Sequence, residues 1–276
     1  MSLYIASLNS GSNGNCYYIG SETEAILVDA GISCRETEKR MKRLGLQMDK
    51  VKGIFVTHEH ADHINGIPVL SKKYQLPVYI TPATERAARL QLQQHLIVRF
   101  LPHQPIQLGS LSITAFPKLH DALDPHSFIV ASPSVTVGIF TDIGIACKQV
   151  IHHFKQCHAV FLEANYDEEM LNTGNYPWHL KKRIGGGNGH LSNTQALELF
   201  IKYKPAFMGR LLLSHLSKNN NRPELAMDLF SRHAGNTNIS IASRNEETPV
   251  YYINNGSPRA VVNRKKICSQ SQLSLF

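Results

Sequence analysis

The chain has 276 residues, of which 42% are hydrophobic; this excludes a disordered protein and leaves room for one large α/β domain or two small ones. Lysine and arginine outnumber aspartate and glutamate by 29 to 21, and the resulting net charge of +8 favours polyanionic partners. No segment approaches the roughly 18 apolar residues of a membrane span, and the five cysteines lack any CxxC pair. We therefore expect a cytoplasmic protein with reduced thiols.

The first half of the chain alternates short apolar runs with amphipathic segments. Strands are predicted at residues 3–8, 16–20, 25–30 and 53–57. The sequence SGSNGN, between the first two strands, is typical of a hairpin turn, and its backbone amides could also contact phosphate. A capping box formed by Ser33 and Glu36 predicts a helix that ends near Gly45. Thr81, followed by proline, predicts another helix that runs toward His95.

The second half repeats this style. Strands are predicted at residues 111–116, 127–131, 136–141, 159–164 and 211–214. Helices are predicted after Ser192 and near Pro223. Because no linker divides the halves, we expect an α/β fold in a single domain, residues 1–253, with two similar lobes. Residues 254–276 are predicted to form a flexible polar tail.

Metal-binding side chains follow several predicted strands at their carboxyl ends. His58, Asp142 and His215 each come at the end of an apolar run, and His120 follows the segment LSITAFPKL. Folds of the α/β class place ligand sites in the loops at the carboxyl ends of strands. These four residues therefore predict one shared site.

The stretch THEHADHING, residues 57–66, contains His58, His60, Asp62 and His63. His58 and His60 are two residues apart and can face the same way in an extended loop, whereas Asp62 and His63 lie further along, toward a second position. Imidazole and carboxylate ligands without a nearby thiolate suit Zn²⁺, Mn²⁺ or Fe²⁺. A chance surface cluster is the weaker interpretation, so the spacing predicts two divalent metal ions.

The complete pattern resembles the metallo-β-lactamase fold in its two-metal form, over nearly the whole chain up to about residue 253. The resemblance implies an αββα sandwich with the metals at one edge. It implies a first metal held by His58, His60 and His120, a second held by Asp62, His63 and His215, and a bridging Asp142. Asp29, in the segment LVDAG, is similar to a carboxylate that orients ligands from outside. A buried aspartate that satisfies the adjacent turn explains Asp29 equally well.

The fold alone does not name the substrate, because thioesterases, lactonases, β-lactamases and nucleases all use HxHxDH. His190, in GGGNGHLSNTQA, resembles the extra histidine of the nuclease and RNase Z-like branches, which pairs with a glutamate similar to Glu163 in VFLEANY. Such a pair would protonate the poor leaving group of a phosphodiester. The alternative is a helix-capping His190 and a solvated Glu163. The predicted catalytic residues are His190, Glu163 and Asp62.

The segments SGSNGNC, GHLSN and YPWHLKKRI resemble the YycJ/WalJ subfamily. This resemblance implies a cytosolic double-strand DNA 5′-to-3′ exonuclease that serves DNA repair or replication. His126, in PHSF, departs from the expected small or apolar residue, and we interpret it as a strand-entry histidine. Three alternatives stay open: a hydrolase of small esters or thioesters, an RNase Z- or RNase J-like ribonuclease, and a DNA-bound scaffold without chemistry.

A basic run precedes the GHLSN segment. Lys181, Lys182 and Arg183 are predicted to contact the nucleic-acid backbone, together with Ser192 and Asn193. A solvated helix face is the other interpretation of the basic run.

The chain ends in QLSLF, which resembles the short motif by which bacterial DNA-processing enzymes bind the sliding clamp. The residues that would fill a cleft on the clamp are Gln272, Leu273, Leu275 and Phe276. The alternative is that these apolar side chains pack on the protein's own core.

Overall fold

The structure, a computed structural model, describes residues 1–255, which form two seven-stranded sheets packed face to face. The strands of the first sheet are β1 (Leu3–Asn9), β2 (Cys16–Gly20), β3 (Ala25–Val28), β4 (Val51–Phe55), β5 (Val78–Ile80), β6 (Ile97–Arg99) and β14 (Tyr251–Ile253). Those of the second sheet are β7 (Ile106–Leu108), β8 (Leu111–Pro117), β9 (His126–Ala131), β10 (Thr136–Phe140), β11 (Ala159–Glu163), β12 (Arg210–Ser214) and β13 (Asn238–Ile241).

Nine α-helices connect the strands within residues 1–255. They are α1 (Cys34–Leu44), α2 (Ala61–Ile64), α3 (Ile67–Tyr74), α4 (Pro82–Ala88), α5 (Lys148–Phe154), α6 (Glu168–Thr173), α7 (Trp178–Ile184), α8 (Asn193–Tyr203) and α9 (Pro223–Ser231). Short 3₁₀ turns occur at Met48–Lys50 and Gln94–Leu96. Over this part of the chain, no helix has both the length and the apolar character needed to cross a membrane.

Each sheet is antiparallel at one side and parallel at the other. The first sheet has the order β14-β1-β2-β3-β4-β5-β6, with β3 to β6 parallel. The second has the order β13-β12-β11-β10-β9-β8-β7, with β10 to β13 parallel. All five residues of β11, AVFLE, are buried, as expected for a parallel strand covered on both faces.

The core consists of one layer between the sheets and one layer under the helices on each outer face. Between the sheets, the rings of Tyr17 and Phe161 approach to 5.0 Å. Met41 of α1 belongs to the layer on the first sheet, whereas Phe200 of α8 and Phe230 of α9 belong to the layer on the second. Full burial of each large apolar side chain contributes about 1.5–3 kcal/mol. This arrangement confirms the predicted αββα sandwich.

The predicted strands are all present, with ends that agree to within two residues. The helix that begins after Thr81 is shorter than predicted: α4 ends at Ala88 and does not run toward His95, because Arg89 adopts a left-handed conformation with φ of 49°. After it, Leu90 and Leu92 pack against the outer core of the first sheet.

The capping box predicted at the start of α1 is only half formed. The Ser33 side chain accepts a hydrogen bond from the Glu36 amide, but the Glu36 carboxylate binds Arg40 instead of returning to the cap. A complete capping box lies at the start of α8, where Ser192 and Gln195 bind each other reciprocally. The predicted end of α1 is confirmed, because Gly45 closes it with φ of 69°.

Candidate active site

Three residues that follow strands hold left-handed backbone conformations, which residues other than glycine rarely adopt. Asp29 follows β3, Asp142 lies just beyond β10 and His215 follows β12, with φ of 58°, 55° and 54°. Conformations of this kind each cost on the order of 1–3 kcal/mol and persist where neighbouring contacts fix them. The Asp29 amide donates to the Phe55 carbonyl at 2.9 Å, and the His215 amide donates to the Ser10 hydroxyl at 2.8 Å. All three side chains lie at one edge, where the two sheets meet.

Three imidazoles form one group of possible metal ligands at this edge: His58, His60 and His120. His58 Nε2 lies 3.0 Å from His60 Nδ1, which lies 3.3 Å from His120 Nε2. Two nitrogens that are each about 2.0–2.1 Å from one tetrahedral ion lie about 3.3–3.4 Å apart. The spacing therefore suits a single divalent ion between the three rings.

A second group contains a carboxylate and two imidazoles. Asp62 Oδ2 lies 3.6 Å from the Nε2 atoms of both His63 and His215. Asp62 and His63 come from the short helix α2, whereas His215 comes from the end of β12 in the other sheet. The group can accept a second ion only because the two sheets bring these elements together.

Asp142 lies between the two groups. Its Oδ2 is 3.4 Å from His63 Nε2, and its Oδ1 is 3.9 Å from His120 Nε2. Asp142 Oδ2 and His215 Nε2 are buried without a hydrogen-bond partner in residues 1–255. A buried polar atom without a partner is costly, and a cation would satisfy both atoms. The donor set therefore fits a pair of divalent metal ions.

Residues outside the two groups orient the imidazoles. His63 Nδ1 donates to Asp29 Oδ2 at 2.7 Å, and Asp29 also accepts hydrogen bonds from the amide and hydroxyl of Thr57. His120 Nδ1 donates to the Gly189 carbonyl at 3.0 Å. Holding Nδ1 in this way leaves Nε2 free to face the metal position, a common arrangement around metal sites.

Glu163, at the end of β11, connects His215 of the second group with His190. Its Oε1 accepts from His190 Nδ1 at 2.8 Å and from His215 Nδ1 at 3.0 Å. Its Oε2 accepts from the amides of Ile143 and Leu191 at 2.9 Å and 3.1 Å. Burial alone would raise the pKa of Glu163, but the charge and hydrogen bond of His190 outweigh it and lower the pKa to about 2. Glu163 is therefore an ionised, fully buried carboxylate and not the solvated charge that was the alternative interpretation.

The field of the carboxylates also acts on the ligands. Burial opposes charge on His63, but Asp142, Asp29 and Asp62 outweigh it and raise the pKa of His63 to about 10. Burial likewise opposes charge on Asp62, and the positive charge of His63 lowers the pKa of Asp62 to about 2. The carboxylates thus favour positive charge at the second group, and a divalent cation there would replace the proton on His63.

Two further residues at the site were not found by sequence analysis. Asn15, in the SGSNGN turn, places Nδ2 3.2 Å from Asp62 Oδ2 and 3.0 Å from His63 Nε2. Lys118 is buried and donates from Nζ to the Thr141 carbonyl at 2.7 Å, next to Asp142. Burial lowers the pKa of Lys118. The glycine-rich turn suggested only backbone contacts, and nothing in FPKLH distinguished Lys118 from a surface lysine.

The predicted nucleic-acid contacts divide into two sets. Lys182 and Arg183 are exposed, and Lys181 is partly exposed on the same helix, α7. Ser192 and Asn193 are buried: Ser192 caps α8, and Asn193 donates to the Asn221 side chain. The prediction that Ser192 and Asn193 contact nucleic acid is therefore not supported, because their side chains are occupied inside the protein.

His126 is buried at the first position of β9, where Nδ1 donates to the Asp124 carbonyl at 2.9 Å. It belongs to neither ligand group, which agrees with its interpretation as a strand-entry histidine. The predicted clamp-binding residues Gln272, Leu273, Leu275 and Phe276 lie outside the described residues.

The chain is similar to several known proteins. The Beta-lactamase superfamily domain matches residues 24–216. The chain is 36% identical over 234 residues to Exodeoxyribonuclease YycJ of Bacillus anthracis, a match that covers 82% of this chain and 87% of that protein. It is 25% identical over 256 residues to Ribonuclease J of Helicobacter pylori, with 85% of this chain and 35% of the relative covered. Among solved structures, the metallo-β-lactamase fold protein YhfI of Bacillus subtilis superposes with a TM-score of 0.71 at 18% identity, over 90% of this chain and 99% of that chain.

Proposed function

The chain belongs to the beta-lactamase superfamily and, within it, to the YycJ/WalJ group, and from this premise we propose that it degrades DNA as a metal-dependent double-strand 5′-to-3′ exonuclease. The observation that carries the proposal is the 2.8 Å hydrogen bond from His190 Nδ1 to Glu163 Oε1 beside the two ligand groups. The similarity to a protein named an exodeoxyribonuclease supports DNA as the substrate.

The site would hold two divalent ions, Zn²⁺ or Mn²⁺, with Fe²⁺ as a further candidate. The first would be held by His58, His60 and His120, the second by Asp62, His63 and His215, with Asp142 shared between them. When bound, such ions activate water as a nucleophile and stabilise the charge on the phosphate oxygens. Asp62, whose side chain is 23% exposed, can accept a hydrogen bond from the attacking water.

His190 supplies the proton for the leaving oxygen. Because Glu163 accepts from Nδ1, the imidazole presents Nε2 away from the carboxylate. The His190 side chain is 20% exposed, so that substrate can reach it. The pair therefore meets the geometric need of a general acid.

A phosphodiester has more use for this acid than the alternative substrates have. The departing sugar oxygen is a poor leaving group, and its protonation contributes about 10²–10⁴-fold to the rate. Thioesters and activated esters release groups that need less assistance. A hydrolase of small esters or thioesters would not need the His190–Glu163 pair as a general acid. A DNA-bound scaffold without chemistry would not need the metal ligands.

A ribonuclease is the second candidate. It is favoured by the similarity to Ribonuclease J, although this chain spans only 35% of that relative. The ligand groups and the general acid would serve RNA and DNA equally well, because both substrates present the same phosphodiester.

One experiment separates these functions. Protein reconstituted with Zn²⁺ or Mn²⁺ is incubated in parallel with 5′-labelled and 3′-labelled duplex DNA, single-stranded DNA and RNA of one sequence. We expect the duplex to be shortened from its 5′ end, with early release of the 5′ label. Faster degradation of RNA would favour the ribonuclease. Thioester turnover that exceeds hydrolysis of every nucleic acid would overturn the proposal.

The sliding clamp is proposed as a partner through the terminal QLSLF. Such a tether would raise the local concentration of enzyme on DNA without altering its active site. Deletion of Gln272 to Phe276 should abolish co-elution with the clamp and any clamp stimulation on long DNA, while turnover of short oligonucleotides is retained. Full-length protein that does not bind the clamp at micromolar concentration, equivalent to about −8 kcal/mol, would refute this partner.

A further inference from the structure

Helix α7 exposes a tryptophan and buries none of its own residues. Trp178, at the first position of the helix, is 72% exposed. A helix in a folded protein is normally held by an apolar face packed on the core. Tryptophan carries a large apolar surface that is usually removed from water. The exposed ring therefore lies on a face that a ligand could cover.

The helix is attached directly to the proposed catalytic residues. Its last residue, Ile184, accepts a hydrogen bond from the His190 amide at 2.8 Å. The Arg183 side chain binds the carboxylate of Asp121, the residue after His120. At a rise of about 1.5 Å per residue, Trp178 lies about 9 Å along the helix from Ile184. That distance corresponds to about three nucleotide steps of a DNA strand at about 3.4 Å each.

The charge around the ring suits a nucleic acid. The Lys182 ammonium lies 5.1 Å from the centre of the Trp178 ring, over one of its faces. Lys181 and Arg183 lie on the same helix, and the segment WHLKKRI contains no acidic residue. An aromatic ring among basic side chains is the arrangement that binds single strands: bases stack on the ring while cations contact the phosphates.

We propose that Trp178 is a stacking site for an unpaired base of the substrate strand, with Lys182 at the adjacent phosphate. This inference rests on the proposed nuclease function and extends it to the substrate's conformation. A ring that stacks on an internal base must displace its neighbour in the duplex, so the strand at Trp178 is separated from its complement before cleavage. The site is sequence-tolerant, because every base offers a π-face.

The chain provides its own reporter for this site. Trp178 is the only tryptophan in the sequence, so all tryptophan fluorescence comes from the proposed contact. The metal-loaded His190→Ala variant is titrated with the single strand dT₁₂, which that variant should degrade only slowly. The control is an oligomer of the same length made of abasic sugar phosphates, which has the same charge but no bases. We expect strong quenching by dT₁₂ and little by the abasic oligomer.

Steady-state kinetics test the same site in the active enzyme. Since a stacked base contributes about 5- to 150-fold to binding, Trp178→Ala should raise the KM for short oligonucleotides by a factor in that range. Trp178→Phe should recover most of the loss, and hydrolysis of bis-nitrophenyl phosphate should not change. Phe207→Ala is the matched control, because Phe207 is also an exposed aromatic, at 51%, but precedes β12 at the end of the strand opposite His215.

The outcomes are distinguishable. Equal quenching by dT₁₂ and the abasic oligomer, or a KM unchanged in Trp178→Ala, overturns the stacking site while the nuclease function stands. Failure of the metal-loaded wild-type protein to hydrolyse any nucleic acid overturns the proposed function, and with it the premise of this inference.

Discussion

Replacing His190 with alanine tests the proposed general acid. The structure indicates that the change is local, because Glu163 keeps three other hydrogen bonds, from His215 Nδ1 and from the amides of Ile143 and Leu191. The carboxylate thus remains satisfied, and the two groups to which we assign the metals, neither of which includes His190, keep their members. His190→Ala should therefore bind the same amount of metal as the wild-type protein.

The expected loss follows from the role of the proton. A positioned general acid contributes about 10²–10⁴-fold, equivalent to about 2.7–5.4 kcal/mol of transition-state stabilisation at about 1.36 kcal/mol per factor of ten. On DNA, where the leaving group is a sugar oxygen, kcat/KM should fall at least about 100-fold. On bis-nitrophenyl phosphate the leaving phenolate needs no proton, so the decrease should be far smaller.

The assay compares the two substrates under identical metal loading, with metal content measured by atomic emission on the same samples. Glu163→Gln is an informative companion variant. It removes the charge that holds both His190 and His215, so it should lower metal content as well as the rate on DNA. Equal losses on both substrates in His190→Ala, at unchanged metal content, would refute the assignment of His190 as the acid.

Three further predictions concern other parts of the molecule. Asn15→Ala removes the amide beside Asp62 and should weaken metal binding at the second group by about 10–100-fold. In chelator competition, one ion should be released at a lower chelator concentration than in the wild type, and the other at the same concentration. Lys182→Ala should lower the salt slope of DNA binding by about 1. Arg183→Ala should change the slope less, because Arg183 already pairs with the Asp121 carboxylate. Equal slopes in the wild type and both variants would mean that the basic side chains of α7 are only solvated. Burial opposes ionisation of Glu24, but hydrogen bonds from Ser110, Thr23 and Ser21 together outweigh it and lower the pKa from 4.5 to about 2. Glu24 therefore stabilises the fold by up to about 3 kcal/mol above pH 4.5, and this contribution is lost as the pH falls toward 2. Urea unfolding of Glu24→Gln at pH 7 and pH 3 should show a smaller pH dependence than wild type, and an unchanged dependence would contradict the assignment.

Much of the fold was predictable because its signals are local. The parallel strands that were predicted are short apolar runs, and the turn SGSNGN separates the first two strands as expected. The parallel strands β5, β6 and β13 were not predicted, because they have only three or four residues each. The ligand groups were predictable because His58, His60, Asp62 and His63 are close in sequence. His120, Asp142 and His215 were predictable because each follows a strand, and the carboxyl ends of parallel strands meet at one edge.

The supporting residues were not predictable because their roles depend on tertiary contacts. Asn15 lies 47 positions before Asp62 in the sequence, and only the meeting of the turn with α2 brings their side chains together. Ser192 was predicted to contact nucleic acid, but its side chain is buried and caps the start of α8. The predicted length of α4 failed for a related reason, since the leucines after Ala88 pack against the sheet and are not part of a longer helix.

Several structural costs in residues 1–255 fall where the chemistry is proposed. Asp29, Asp142 and His215 carry left-handed backbone conformations, two of these three also hold buried polar atoms without partners, and the ammonium of Lys118 is buried beside them. A core selected only for stability would replace such groups with apolar residues, because burying an unpaired polar atom costs more than packing a hydrocarbon. Strained backbone conformations and unpaired buried groups persist at functional sites, because the stability of the rest of the fold offsets their free-energy cost. A cation between the ligand groups would satisfy the buried atoms of Asp142 and His215 that have no protein partner, so the residues that carry these local costs are the ones to which we assign the chemistry.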